Sequence, residues 1–294
     1  MTLRRQARAF VIQVANLLRA DAFAFRAQGR RAHGIVIAMH ETPARLQTKF
    51  REQLEWASQH FTITSLETFA ELWTKRGSDG LERPLLLYTF DDGRESNYTV
   101  AAPLLESFGG RGVFFVVPAF SECASHEQAL SFYRTRINPG LKESEEDTED
   151  WKPMNPGQIA DLAARGHAIG NHTLTHEKLA GLTPEQLERE IGESARTLAA
   201  WTKRNIDAFA WTFGWDAIDA KAWNTVQRYH RFCFSPCAGA VASRRDQPSL
   251  LWRREIELRY SQPELRFSYS GLVDLWWEGR RARLRRMLSE SPEQ

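Results

Sequence analysis

One stretch of the sequence, LLLYTFDDG at residues 85–93, restricts the possible folds more than any other. Its first four residues, 85–88, are an uninterrupted apolar run, which is typical of a strand buried on both faces of a parallel sheet. Asp91, Asp92 and Gly93 then predict a turn at the carboxyl end of that strand. Because α/β proteins carry their functional groups at such strand ends, the stretch predicts an α/β fold with a polar site here.

Asp91 and Asp92 place two carboxylates side by side next to an apolar strand, where their charges repel each other. Either one of them takes up a proton or both share a cation, and a metal ion is the simplest solution. A second interpretation stays open at this point. Aspartates after a strand also cap the next helix or form a solvated turn.

Strand-like and helix-like segments alternate along the chain. Strands are predicted at 35–39, 61–64, 85–88, 113–117, 166–171, 209–213, 232–235 and near 255–258, and helices at 43–58, 66–73, 98–108, 158–165, 184–201 and 221–229. Repeated β–α units without an internal sequence repeat favour a parallel sheet, most simply a closed or nearly closed barrel. The acidic segment 143–150 interrupts this alternation and is predicted to be a solvated loop beside the site.

Length and composition favour a single domain without a nucleic-acid partner. A chain of 294 residues can form one barrel, and a formal net charge of +2 gives no general attraction for nucleic acid. Cys123, Cys233 and Cys237 show no CxxC spacing and leave an odd count, so a disulfide framework is not expected. We find neither a membrane-spanning run nor a secretory signal, which predicts a cytoplasmic location.

Both ends of the chain are predicted to be basic helices outside the barrel. Residues 1–33 are arginine-rich with interleaved apolar side chains, and such a helix packs on its own domain or contacts a membrane or partner. Residues 273–294 combine Trp276 and Trp277 with Arg280, Arg281, Arg283, Arg285 and Arg286. This composition suits anionic headgroups at the inner face of a membrane, and a packed, solvated helix is the alternative.

A second polar motif, HTLTH, follows the short apolar strand of GHAIGN. On a helical turn His172 and His176 would share one face, about 5 to 6 Å apart, and could bind one ion, although an isolated HxxxH also occurs on surfaces. Because strand ends of a parallel barrel meet at one rim, we expect both histidines beside Asp92. Two histidines and one carboxylate leave coordination positions open, as in catalytic zinc sites, and iron, cobalt or nickel would also suit.

TFDDG at 89–93 together with GHAIGNHTLTH at 166–176 resembles the polysaccharide deacetylase family, the NodB-homology or carbohydrate esterase family 4 fold. The resemblance implies a distorted (β/α)7, TIM-like barrel over residues 34–272. It also implies a metal, most simply zinc, held by Asp92, His172 and His176, and a general base at Asp91. The implied reaction removes an acetyl group from an N-acetylated sugar of a polysaccharide or a carrier-linked saccharide.

The residue types agree with this chemistry. A metal polarises an acetyl carbonyl and acidifies water, and Asp91 can take the proton of that water. Four aromatic residues either form a floor on which a sugar ring stacks or pack in the core: Tyr88, Trp211, Phe213 and Trp215.

Two motifs of the resembled family are missing. The family's third motif has an arginine with proline and an aromatic residue, and this chain has AWTFG at 210–214 in its place. Because AWTFG contains no arginine, Arg253 or Arg254 would have to orient Asp91. The family's late Leu-x-His motif is absent, because His230 is the last histidine. Some family members carry a histidine at the first strand end instead, and an imidazole pKa of about 6.5 suits proton donation. We therefore predict that His40 is the general acid, with a core histidine as the alternative.

These departures leave two further functions open. One is a carbohydrate-binding protein of this fold that no longer catalyses a reaction. The other is a related enzyme that hydrolyses a non-sugar amide or an O-acetyl ester. Release of acetate from a panel of acetylated oligosaccharides distinguishes the three functions.

Overall fold

The computed structural model describes residues 12–15, 19–20, 23–24, 34–74, 82–140, 151–241 and 248–289. The acidic segment 143–150 lies wholly, and the N-terminal helix of residues 1–33 mostly, outside the described residues. Among the described residues, no helix combines the length and the apolar character that crossing a membrane requires.

The described strands pair in parallel in one sheet. They are β1 (Gly34–Met39), β2 (Thr62–Ile63), β3 (Leu85–Phe90), β4 (Val113–Val116), β5 (Ala168–Asn171), β6 (Ala208–Ala210), β7 (Phe232–Ser235), β8 (Leu251–Trp252) and β9 (Arg254–Glu255). Their order is β8-β7-β6-β5-β4-β3-β1-β9, and the short β2 pairs with the first residues of β3.

Helices follow most strands, as the alternation predicts. The α-helices are α1 (Gln47–His60), α2 (Leu66–Thr74), α3 (Ala102–Ser107), α4 (Pro118–Ser121), α5 (His126–Phe132), α6 (Pro156–Ala164), α7 (Pro184–Leu187), α8 (Ser194–Thr202), α9 (Ala220–Tyr229), α10 (Gln262–Ser270) and α11 (Glu278–Ser289). Shorter 3-10 and π-helical turns extend several of them: Ala44–Leu46, Asn97–Ala101, Tyr133–Ile137, Glu188–Glu193, Trp215–Ala217 and Leu272–Trp277.

The segment 251–255 closes the barrel. Its first two residues pair with β7 and its last two pair with β1, and Arg253 alone separates the two pairings. With β8 and β9 counted as one strand, seven strands form the path around the described barrel: β1, β3, β4, β5, β6, β7 and β8–β9. The predicted distorted (β/α)7 barrel is therefore confirmed.

The strands are held by apolar side chains on both of their faces. All residues of β1 and β3 are buried. In β3, Leu85 and Leu87 join a cluster with Phe115 and Phe234 from other strands, while Leu86 and Tyr88 join a larger cluster that includes helix α1. Because side chains alternate along a strand, the first set fills the barrel and the second faces the helices.

The C-terminal segment packs on the barrel. Leu284 of α11 is buried in a cluster with Trp223 and Trp252. The guanidinium groups of Arg283 and Arg285 lie 5.0 Å from the ring centres of Trp215 and Trp252, respectively. These contacts agree with a packed helix, and contact of this segment with a membrane stays a prediction.

Candidate active site

The ends of β3 and β5 bring the two polar motifs together at one rim of the barrel. Asp92 is the second residue after β3, and His172 follows β5 directly. Asp92 Oδ1 lies 3.7 Å from His172 Nε2 and 3.6 Å from His176 Nε2. All three side chains are buried. The two motifs therefore lie together at one rim, as the strand topology predicts.

Backbone carbonyls orient both imidazole rings. His172 Nδ1 lies 2.9 Å from the carbonyl oxygen of Ala210, and His176 Nδ1 lies 2.8 Å from that of Arg136. Because a carbonyl oxygen only accepts hydrogen bonds, each Nδ1 carries the proton and each Nε2 offers a lone pair. Burial lowers the pKa of His172 to about 4, which also favours its neutral, ligating form.

The HTLTH segment is not a helical turn, and this prediction was wrong. Thr173 and His176 have left-handed backbone conformations, with φ of 62° and 58°. Side chains replace the helical hydrogen bonds, since Asn171 Oδ1 accepts from the Thr173 N–H and Glu190 accepts from the N–H and hydroxyl of Thr175. The two imidazole ring centres nevertheless lie 5.2 Å apart. The spacing that we expected is produced by a loop.

The three donors fit a divalent metal ion. Their ligand atoms lie within 4.8 Å of one another. Donors about 2.0 to 2.1 Å from a tetrahedral zinc ion are roughly 3.3 to 3.4 Å apart. The distances from Asp92 Oδ1 to the two imidazole nitrogens, 3.7 and 3.6 Å, are close to this value. Two neutral imidazoles and one carboxylate also suit iron, cobalt or nickel.

Arg94 holds the second oxygen of Asp92, a contact that the sequence analysis missed. Its Nη2 and Nε lie 3.0 and 3.3 Å from Asp92 Oδ2, and its Nη1 lies 3.7 Å from a carboxylate oxygen of Glu41. Burial alone would raise the pKa of Asp92, but Arg94 and the nearby histidines lower it well below its usual value. Asp92 therefore stays ionised, and Oδ1 remains directed towards the histidines.

Asp91 is bound by an arginine from the segment that closes the barrel. Arg253 Nη1 lies 2.7 Å from Asp91 Oδ1 and Nη2 lies 3.0 Å from Oδ2, a bidentate pair. Burial would raise the pKa of Asp91, but Arg253 lowers it below the usual value. Arg254, the other predicted candidate, instead binds Asp274. Arg253 is thus the residue that orients Asp91.

His40 lies on the same rim, directly after β1. Its Nε2 is 3.9 Å from Asp91 Oδ2, and its Nδ1 is 3.9 Å from a carboxylate oxygen of Glu255. The side chain is 42% exposed and lines the same cavity as the three candidate metal ligands, Asp92, His172 and His176. His40 is therefore close to the predicted base and accessible to a ligand, while its role as the acid stays a prediction.

The cavity at this rim has a volume of about 700 Å³, a size typical of small-molecule sites. Two of the four predicted aromatic residues, Trp211 and Phe213, line it. Trp211 is buried and stacks on Trp223, whereas Phe213 is 45% exposed and its ring centre lies 4.9 Å from that of His176. Phe213 is thus the better placed of the two to contact a ligand.

The other two aromatic residues are not among those that line the cavity. Tyr88 is buried, and its hydroxyl lies 2.8 Å from the hydroxyl of Tyr269. Because side chains alternate along β3, Tyr88 faces the helices rather than the barrel interior, and its predicted role in sugar stacking must be corrected. The ring of Trp215 is covered by Arg283 of α11.

A comparison with models of protein families shows to which family this chain belongs. Residues 79–230 match the family model described as polysaccharide deacetylase. The chain belongs to the polysaccharide deacetylase family. This assignment confirms the resemblance in the TFDDG and HTLTH motifs.

Two curated proteins are similar to parts of this polysaccharide deacetylase family member. YxkH of Bacillus subtilis (strain 168) is 26% identical over 148 residues, or 50% of this chain. The peptidoglycan-N-acetylglucosamine deacetylase of Bacillus cereus is 24% identical over 123 residues, or 42% of this chain. The matched segments cover 43% of each relative, so the chain spans less than half the length of the curated proteins that it matches.

Two solved structures have a similar fold over most of this chain. The Streptococcus pyogenes deacetylase PplD in complex with acetate matches with a TM-score of 0.62 and 16% identity, over 81% of this chain and 99% of PplD. IcaB from Ammonifex degensii matches with a TM-score of 0.59 and 17% identity, over 83% of this chain and 97% of IcaB. At these identities the likeness shows a shared fold.

The structure explains how this family member accommodates its unusual third motif. Arg253 supplies the guanidinium on Asp91 that the arginine of the third motif would otherwise supply. Within AWTFG, the hydroxyl of Thr212 donates a hydrogen bond of 2.7 Å to the carbonyl of Glu177, the residue after His176. The threonine therefore ties the AWTFG loop to the histidine loop.

Proposed function

We propose that this chain is a metal-dependent hydrolase that removes the acetyl group from an N-acetylated sugar of a polysaccharide or a carrier-linked saccharide. The observation that carries the proposal is the arrangement of Asp91, oriented by Arg253, beside the donors Asp92, His172 and His176 in one cavity. Membership of the polysaccharide deacetylase family supports the class of substrate.

The protein's own residues would position and protonate the reacting groups. A divalent metal held by Asp92, His172 and His176 would polarise the acetyl carbonyl and make water more acidic. Asp91 is kept ionised by Arg253, which is the form that accepts a proton from the attacking water. The buried position of these groups strengthens their electrostatic effect on the reacting atoms.

His40 would complete the reaction as the acid. Water adds to the carbonyl carbon and gives one proton to Asp91, and the C–N bond then breaks as the amine nitrogen takes a proton from His40. Acetate and a free amino sugar result. His40 Nε2 and Asp91 Oδ2 are 3.9 Å apart, so that the proton on Asp91 can return to His40 through one bridging water.

Acetate release from a panel of substrates tests this proposal. The panel contains an N-acetylated chitooligosaccharide, an O-acetylated xylooligosaccharide and an N-acetylated peptide. We expect acetate from the first only, with loss of activity after chelation and recovery with zinc, cobalt or nickel. Asp91→Asn should lose about 100-fold or more in kcat, whereas Asp216→Asn, at an exposed carboxylate paired with Lys178, should not.

Two results would contradict the proposal. Acetate from the O-acetylated substrate or the peptide alone would assign a different hydrolase activity. Binding of the chitooligosaccharide by metal-loaded protein without release of acetate would assign a binding function.

A further inference from the structure

The C-terminal segment builds one side of the cavity, which we call the C-terminal wall. It consists of Val273, Trp276, Trp277 and Arg280, all of which line the same cavity as the candidate metal ligands. These residues belong to the 3-10 helix Leu272–Trp277 and to the first turn of α11. They lie beyond residues 79–230, the segment that matches the family model.

The wall carries a guanidinium group whose surroundings differ from those of the other cavity arginines. Four arginines line the cavity. Three of them bind carboxylates: Arg94 binds Asp92, Arg253 binds Asp91 and Arg254 binds Asp274. Within the part of the chain that the structure describes, Arg280 makes no ion pair, and its guanidinium instead lies 4.7 Å from the ring centre of Trp277. Its charge is therefore available to a ligand.

An arginine in this position is suited to a ligand with a negative charge. A guanidinium donates paired hydrogen bonds to carboxylate or phosphate oxygens, and the cation–π contact with Trp277 restricts its orientation. Trp276, four residues before Arg280, is 48% exposed and rests against Phe267, with ring centres 5.4 Å apart. Because Trp276 and Arg280 both line the cavity, they offer an aromatic face and a positive charge to the same ligand.

We propose that the C-terminal wall is a binding subsite for an anionic sugar, with the ring stacked on Trp276 and a carboxylate or phosphate bound by Arg280. The proposal rests on the proposed function and makes it more specific, because it assigns the substrate to the class of N-acetylated saccharides that carry a negative charge. The candidate metal ligands and the C-terminal wall line one cavity. The acetyl group and the charged group would therefore belong to one bound saccharide.

Binding of matched neutral and anionic saccharides tests the subsite. The first pair is the fully N-acetylated chitotetraose, which is neutral, and a hyaluronan tetrasaccharide, which carries carboxylates. The second pair is N-acetylglucosamine and its 1-phosphate. Dissociation constants are measured by calorimetry on the chelator-treated full chain, so that hydrolysis does not consume the ligands. We expect the anionic member of at least one pair to bind about 10- to 100-fold more tightly, the effect of one charged hydrogen-bonding partner.

The matched variants are Arg280→Gln and Arg283→Gln. Both remove one positive charge from α11, but Arg283 lies on Trp215 and is not among the residues that line the cavity. Arg280→Gln should abolish the preference for the anionic sugar, and Arg283→Gln should keep it. The pair that shows the preference identifies the anion as a carboxylate or a phosphate.

Equal affinities within both pairs, no detectable binding of either anionic sugar, or the same loss in both variants would overturn the subsite. Acetate release by the metal-loaded chain is measured separately on the same saccharides. An Arg280-dependent preference without acetate release would contradict the proposed hydrolysis and leave the anion subsite in place.

Discussion

Arg253 binds both carboxylate oxygens of Asp91, although 162 positions separate the two residues in the sequence. Arg253 is the single residue between the strand that pairs with β7 and the strand that pairs with β1. Closure of the barrel and orientation of the proposed base therefore depend on the same five-residue segment.

Replacement of Arg253 by lysine should lower activity without loss of the metal. Lysine keeps the positive charge but cannot form the bidentate contact, so we expect kcat to fall about 10- to 100-fold while the metal content is unchanged. Arg259→Lys, at an exposed arginine paired with Glu41, is the control and should retain full activity. Full activity of Arg253→Lys would show that orientation of Asp91 does not depend on the paired hydrogen bonds.

Arg94 should affect metal binding, because it holds the oxygen of Asp92 that faces away from the histidines. Loss of a residue that orients a metal ligand typically costs 10- to 100-fold in metal affinity, and we expect a loss of about this size for Arg94→Gln. Competition with a chromogenic chelator measures the affinity. Arg136→Gln is the control, since its side chain pairs with Glu177 rather than with Asp92. Tighter metal binding by Arg94→Gln would mean that Arg94 acts by charge repulsion instead.

His40→Ala should separate proton donation from metal binding. We expect the variant to keep its metal and to lose about 100-fold in kcat, the scale of general acid catalysis. His126→Ala, at an exposed histidine in α5, should behave like the wild type. Normal turnover of metal-loaded His40→Ala would require another proton donor.

His230 should make the fold sensitive to acid. Its Nδ1 donates to the carbonyl of Ile206 and its Nε2 lies 3.1 Å from the side-chain nitrogen of Asn171, the residue before the proposed ligand His172. Burial lowers the pKa of His230 from 6.5 to about 4. Between these values the unfolded chain binds more protons than the folded one, so that the stability present above pH 6.5 is lost as the pH falls towards 4.

Urea unfolding at several pH values measures this effect. His230 should account for a loss of roughly 2 kcal/mol between pH 7 and pH 5. His230→Gln should be less stable at pH 7, because it loses ring packing, but its stability should fall less between pH 7 and pH 5. His126→Gln serves as the matched histidine control. Parallel pH curves for the wild type and His230→Gln would contradict the assignment.

The sequence was sufficient to predict the barrel because its strands are apolar runs bounded by turn residues and separated by helices. The sequence could not show which face of β3 carries Tyr88. A run that is apolar on both faces has no alternation of polar and apolar residues to show which side chains point into the barrel. The choice between Arg253 and Arg254 depended on the register of the closing segment, which only long-range pairing determines.

The backbone of the histidine loop was also beyond local sequence patterns. The left-handed conformations of Thr173 and His176 accompany hydrogen bonds that backbone N–H groups of the loop donate to the side chains of Asn171 and Glu190. Glu190 lies 15 positions from its partner Thr175. Arg94 could be read directly after DDG, but its contact with Asp92 depends on the backbone of this turn, in which Asp92 has a left-handed conformation with φ of 71°.

Metal content and acetate release, measured together on His172→Ala, test the central claim most directly. The wild type should bind one divalent metal per chain and release acetate from an N-acetylated oligosaccharide. His172→Ala should lose both properties, because a ring that offers a lone pair beside Asp92 is gone, whereas His126→Ala should keep both. Unchanged metal content and acetate release in His172→Ala would contradict the account.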